Sequence, residues 1–228
     1  MIDHVRRVDH FHEGYNRYME IVKSPAEQRV VLHNVSWETY ERLLAEHADS
    51  SAPRFAYDRG ELEIMSPNPE HERANRRIAQ LVLAVADEMG ISAEDLGSTT
   101  FRREDLERGF EPDSCFYMRN EEAIRGKDRI DLTFDPPPDL VIEVDITSPS
   151  LDKLSIYARM GVPEVWRYDG RKVSILILGG EAYAETARSA ALRPLTSEIL
   201  SRFIEESKTL ERRAWTRKVR EWARERSG

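Results

Sequence analysis

One stretch constrains this chain more than any other: Pro137-Pro138-Asp139-Leu140-Val141-Ile142-Glu143-Val144-Asp145-Ile146. An apolar, β-branched run bounded by prolines predicts a buried strand. Side chains in a strand alternate between faces, so Val141, Glu143 and Asp145 share one face while Leu140, Ile142, Val144 and Ile146 share the other. Two acids are thus expected side by side in an apolar setting. That costs several kcal/mol unless a cation or hydrogen-bond donors offset it. A bound metal ion meets the requirement; so do covering Arg and Lys side chains, or a solvated sheet edge.

The 228 residues suffice for one sizeable core, and no apolar run approaches the ~20 residues of a membrane helix. The amino end, with Asp3, His4, Arg6 and Arg7, is charged where a secretory signal would be apolar, so no leader is expected. Cys115 is the sole cysteine, which excludes an intrachain disulfide and fits a reducing cytoplasm. There is no CxxC or HExxH, so a structural zinc site is not expected. The net charge of −8 argues against a surface coated for nucleic acid, but a phosphate-binding groove needs only a few well-placed cations. Residues 205–228 are basic on balance, leaving the remainder more acidic than the total.

Along the chain, 1–28 lacks a sustained period and reads as an extension containing His4, His10 and His12. A short strand is expected at 29–32, and a helix at 37–47 with Ser36 as its N-cap. A hairpin follows, 55–57 and 61–65 around Asp58-Arg59-Gly60. Ala74, Ile78, Leu81, Val82, Val85 and Met89 form one stripe of a helix over 70–89, which carries His71 and Glu72 in its first turn. Strands are expected at 98–101 and 110–118, with a turn of polar residues including Gly109 between them and Glu111, Asp113, Cys115 and Tyr117 on one face of the second. After the opening strand come a helix to about Met160, a hairpin of 165–168 and 173–178, a helix around 199–204, and a charged helix whose Leu210, Ala214, Val219 and Trp222 form a narrow apolar stripe.

Several ordered pieces carry a family resemblance. They are Gly60-Glu61-Leu62-Glu63-Ile64-Met65-Ser66-Pro67 with His71 after it, Pro112-Asp113, and Pro138-Asp139-Leu140-Val141-Ile142-Glu143-Val144. Next come Ser148-Pro149-Ser150, Lys153-Leu154, Tyr157-Ala158, Gly161-Val162-Pro163-Glu164-Val165-Trp166 and Tyr168-Asp169. In this order they resemble the PD-(D/E)XK nuclease superfamily, and within it the Uma-type restriction-endonuclease-like group, over 29–203. The resemblance implies an α/β (α+β) fold: a restriction-endonuclease-like core with a mixed sheet flanked by helices at 29–204, an N-terminal hairpin-bearing extension, and a C-terminal helix at 205–228.

It also implies a site. Asp113 and Glu143, on neighbouring strands, and the main-chain carbonyl of Val144 would bind Mg2+ or Mn2+ through hard oxygens, with Asp145 in support. The superfamily's name places a lysine two residues after the glutamate, where this chain has Asp145. In the Uma-type group the lysine comes from the next helix, and Lys153 matches. A cation at a helix start opposes the helix dipole, so it needs another reason to be there. Asp139 precedes Glu143 on the same strand and is read as the residue that starts it. His71 or Glu72 would hold a second metal through water. The expected activity is endonucleolytic hydrolysis of DNA. The competing reading is a non-catalytic module that assembles with itself or a protein partner through its C-terminal helix. Homo-oligomers fit either reading, with Trp215 and Trp222 as candidate contacts.

Overall fold

The computed structural model describes residues 28–48, 50, 52–146 and 151–226. The expected extension, apart from Gln28, lies outside these residues, as do Thr147, Ser148, Pro149 and Ser150. In chain order the elements are β1 (Gln28–Leu32), α1 (Trp37–Glu46), β2 (Arg54–Asp58), β3 (Glu61–Ser66), α2 (Pro69–Glu88), β4 (Glu94–Asp95), β5 (Phe101–Arg103), β6 (Arg108–Phe110) and β7 (Ser114–Tyr117). Then follow α3 (Glu121–Ile124), β8 (Leu140–Val144), α4 (Lys153–Met160), β9 (Glu164–Tyr168), β10 (Val173–Gly179), β11 (Ala182–Thr186), α5 (Ser197–Glu206) and α6 (Arg212–Arg224).

The strands form two sheets, one of them the expected mixed sheet. β1-β3-β2-β6-β5 form an antiparallel sheet, and β11-β10-β9-β8-β7-β4 form a second sheet in which β8 and β9 pair in parallel. The division falls inside the segment expected to be one strand at 110–118. Pro112, which has no N–H for a ladder, stands between β6 in the first sheet and β7 in the second. Face alternation therefore does not run through from Glu111 to Asp113. Glu111 instead ties down the crossover, accepting from Phe55 N at 2.8 Å and Thr100 Oγ1 at 2.5 Å. The expected polar turn is present, but Gly109 is outside it. It lies in β6, where a β-carbon would collide with the Tyr40 hydroxyl, and the turn is made by Glu104–Leu106 with Glu107 left-handed at φ 48°.

β8 is central in the second sheet and buried along its whole length, which explains its unbroken apolar run. Leu140, Ile142 and Val144 face α2, α5 and α6, packing with Ile78, Leu81 and Phe203; Val141 faces the opposite side, with Cys115, Ile156 and Tyr157. Each such side chain removed from water contributes about 1.5–3 kcal/mol. α2 begins where Asn68 accepts from His71 N at 2.8 Å and Pro69 takes the first turn, so the start of this long helix is fixed beside the ends of β7 and β8.

The apolar stripe of α6 covers the domain's own flank. Trp215 is wholly buried and donates to Phe203 O at 2.7 Å, and Trp222 is 9% exposed. Arg220 and Arg224 clamp α6 to Asp87 and Glu88 at the end of α2. Trp215 and Trp222 are thus core residues, not contacts for a second copy. Among the described residues, no helix is long and apolar enough to cross a membrane.

Candidate active site

The site forms where the two sheets meet the first turns of α2 and α4. β7 and β8 pair with Ser114 opposite Ile142, so one step further Asp113 stands beside Glu143. Lys153 and Tyr157 lie one helical turn apart on α4 and reach the same carboxylate. Lys153 Nζ is 2.9 Å from Glu143 Oε2, and the Tyr157 hydroxyl donates to Oε1. Tyr157 is itself held edge-on against Phe110 of β6, with ring centroids 4.7 Å apart, which locks the phenol in position.

Asp113 is held on three sides. Arg54 of β2 donates to Oδ1, while Oδ2 accepts from Val144 N at 2.7 Å and lies 3.1 Å from His71 Nε2. Its main-chain carbonyl accepts from Asn75 Nδ2 at 2.9 Å. The second guanidinium nitrogen of Arg54 bonds Glu72, joining the first turn of α2 to the same network. From β3, the buried Glu63 accepts from Leu151 N at 3.2 Å and pairs with Arg29 at 3.2 Å, and its Oε1 lies 4.0 Å from Lys153 Nζ. Arg29 also reaches Asp145 at 3.3 Å.

The cluster is dense in charge. Five carboxylates, Glu63, Glu72, Asp113, Glu143 and Asp145, meet Arg29, Arg54, Arg76 and Lys153, with His71 against Asp113 as well. The titration behaviour follows. Burial would raise the Asp113 carboxyl, but the hydrogen bond and charge of His71, then Arg54 and Lys153, outweigh it and hold the group at about 2. Burial pushes Glu143 up to about 7 against the pull of Lys153, with Asp113 and Asp145 adding repulsion. For Lys153, burial works against the charged form, yet Glu143, Asp113 and Glu63 raise its pKa and keep it an ammonium. Burial likewise raises Asp145, opposed by Lys153 and Arg29. One acid ionised and its neighbour poised near neutrality is the asymmetry that acid–base chemistry exploits.

A cavity of about 290 Å³ opens beside Glu143, Asp145, Lys153 and Tyr157, with room for several waters. Among the described residues, no three His, Cys, Asp or Glu side chains converge tightly enough to hold an ion as they stand. Arg54 holds one oxygen of Asp113, and Lys153 and Tyr157 hold both oxygens of Glu143. The Val144 contact that the structure presents is its N–H on Asp113. Asp139 is turned away from the cluster, accepting from Met118 N, Asn120 N and Asn120 Nδ2 at 2.8–3.2 Å.

The sequence reading did not assign roles to Arg29, Arg54, Glu63 or Tyr157. Tyr157 had a signal, its i,i+4 spacing from Lys153, and so did Glu63, a lone acid between Leu62 and Ile64 in a strand. Arg29 and Arg54 had none, because their partners come from distant strands and helices.

Comparison with known proteins adds the family. Residues 37–207 match the model of the Uma2 family, described as "Putative restriction endonuclease". The chain belongs to the Uma2 family. A crystal structure of a putative nuclease belonging to DUF820 from Anabaena variabilis ATCC 29413 is similar in fold, with a TM-score of 0.51 and 15% identity, covering 75% of this chain and 99% of that one. Among curated proteins, none matches this Uma2 chain. The matched region contains Arg54, Glu63, His71, Asp113, Glu143 and Lys153, so the whole cluster except Arg29 lies inside it.

Proposed function

We propose that this protein is a divalent-metal-dependent endonuclease that hydrolyses phosphodiester bonds in DNA at the Asp113, Glu143 and Lys153 cluster. The observation that carries this reading is the juxtaposition of Asp113 and Glu143, hard-oxygen groups on paired strands, with the ammonium of Lys153 on Glu143 and Asp145 close by. That donor set suits Mg2+ or Mn2+. Asp113 and Glu143 would hold it with the Val144 carbonyl, and Asp145 would support them. His71 or Glu72 would hold a second ion through water. When bound, the ion supplies Lewis acidity toward the phosphoryl oxygen and lowers the pKa of a coordinated water.

The chain's own residues supply the rest. His71 and the Val144 N–H keep Asp113 ionised and aimed. Tyr157 and Lys153 fix Glu143, which at about 7 can exchange a proton with water in the adjoining cavity. Lys153, held charged by three acids, is available to orient the attacking water or to neutralise charge developing on the phosphate. The family match and the nuclease fold support the reading at the level of reaction class.

Calorimetric titration of Mg2+ and Mn2+ into the protein tests the ion-binding half. The parent should bind with an affinity that rises with pH up to about 7, as Glu143 gives up its proton. Asp113→Asn and Glu143→Gln should each bind at least about tenfold more weakly. Equal affinity in all three proteins would remove the assignment.

A further inference from the structure

A second concavity lies along α2. It is a groove of about 750 Å³ between α2 and the α5–α6 junction, with Ala74, Ile146, Tyr168 and Leu210 among its apolar walls. Its polar lining is strongly one-sided. Arg73, Arg76 and Arg77 come from α2 and Lys208 and Arg212 from the opposite wall, against Glu70 and Glu72 in the lining and Glu205, which pairs with Lys208 at 2.7 Å, an excess of two positive charges on a chain of net −8. A local excess of this kind, set against the overall charge, calls for an anionic occupant.

The groove's walls are held in place. Arg77 lies over the Trp215 ring, 5.5 Å from its centroid, and Gln80 Nε2 donates to Thr216 Oγ1 at 3.0 Å, so α2 and α6 are joined directly. Arg73 and Arg212 are exposed, and among the described residues neither forms an ion pair, which leaves both charges available. Along α2, Arg73 to Arg77 covers about 6 Å, close to the rise over two phosphates of one B-DNA strand. The groove is linked to the site through Glu72, which lines it and bonds the same Arg54 that holds Asp113.

We propose that this groove binds the phosphate backbone of the DNA flanking the scissile bond. The proposal rests on the nuclease reading and deepens it, since it supplies the binding surface that reading requires. Contacts of this type position a duplex without reading its sequence.

The test is fluorescence anisotropy of labelled duplex DNA in Mg2+ across a salt series, with Glu143→Gln protein as the reference so that no cutting intervenes. Arg73→Ala/Arg212→Ala in that background should weaken binding about tenfold or more and reduce the slope of log K against log salt by about 2, one for each cation. Arg217→Ala, an exposed cation outside the groove, should leave affinity and slope at the reference values. Circular dichroism confirms that each variant is folded. A folded double variant with the reference affinity and slope overturns the proposal, and so does a reference protein that binds no duplex at low salt. If the parent leaves DNA uncut while the double variant loses binding, the groove stands and the nuclease reading falls. If the parent cuts and the double variant binds unchanged, the groove falls and the nuclease reading stands.

Discussion

Glu143 and Glu164 sit on the neighbouring parallel strands β8 and β9, and both are almost wholly buried, at 3% and 1% exposed. Glu164 is satisfied entirely by neutral donors. The Trp166 indole, at 2.5 Å, and the main-chain N–H groups of Ala190 and Ala191, at 2.9 and 2.8 Å, bind the segment after β11 down onto β9. Glu143 instead faces an ammonium and a phenol, with Asp113 and Asp145 adding like charge beside it. The two residues have the same type and burial but different partners. Burial alone therefore does not mark a functional acid; a cation and further acids gathered around it do.

The comparison can be broken most forcefully at the cation. Lys153→Met should lower the rate of DNA cleavage by about 10²–10³-fold, with a melting temperature near the parent's, because a buried thioether replaces the ammonium while Glu143 takes up its proton. Single-turnover cleavage and a thermal melt read the two effects separately; a collapse in melting temperature would assign Lys153 a structural role instead.

Glu164→Ala should behave in the opposite way. It orphans an indole N–H and two main-chain N–H groups, so urea unfolding should show a loss of about 3 kcal/mol, while cleavage well below the melting point stays close to the parent's. Lost cleavage in a folded Glu164→Ala protein would erase the contrast.

Stability against pH sharpens the same contrast, measured in EDTA. The Glu143 carboxyl is raised from 4.5 to about 7 in the folded protein, so the fold binds the extra proton between those values. Its contribution is fully present below about 4.5 and is lost as pH rises through about 7, by about 1–3 kcal/mol. Asp113 runs the other way, lowered from 3.8 to about 2: its contribution is present above 3.8 and lost as pH falls toward 2. Glu143→Gln should flatten the first slope and leave the second. Parallel profiles for parent and variant would contradict the assignment.

The smallest effect is expected for Tyr157→Phe. It removes one hydrogen bond to Glu143 and should cost about 1 kcal/mol in urea unfolding, with a measurable further rise in the pH at which Glu143 titrates.

Much of the fold was legible in local pattern. The Pro-bounded run at β8, the Ser36 cap of α1, the hairpin at Gly60 and the stripe of α2 each lie within one short window where period and turn chemistry act together. The division into two sheets was hidden because residues on both sides of Pro112 favour strands, and the pairing partner, not the local preference, decides which sheet each joins. β11 and α3 were overlooked for a related reason: β11 is an edge strand and α3 a single turn, and both are too polar to carry a period. At the site, acids announce themselves inside apolar strands, so Glu143 and Asp145 stood out. The arginines that meet them are ordinary surface residues until β1, β2 and β8 are brought together, and Arg54 lies 59 residues from Asp113.

The most direct measurement is single-turnover cleavage of plasmid and linear duplex DNA by the parent, Glu143→Gln and Glu164→Gln proteins, each in Mg2+, in Mn2+ and in EDTA. The account predicts metal-dependent cutting by the parent and by Glu164→Gln, and none by a folded Glu143→Gln protein. Cutting that persists in EDTA, or a Glu143→Gln protein as fast as the parent, would contradict it.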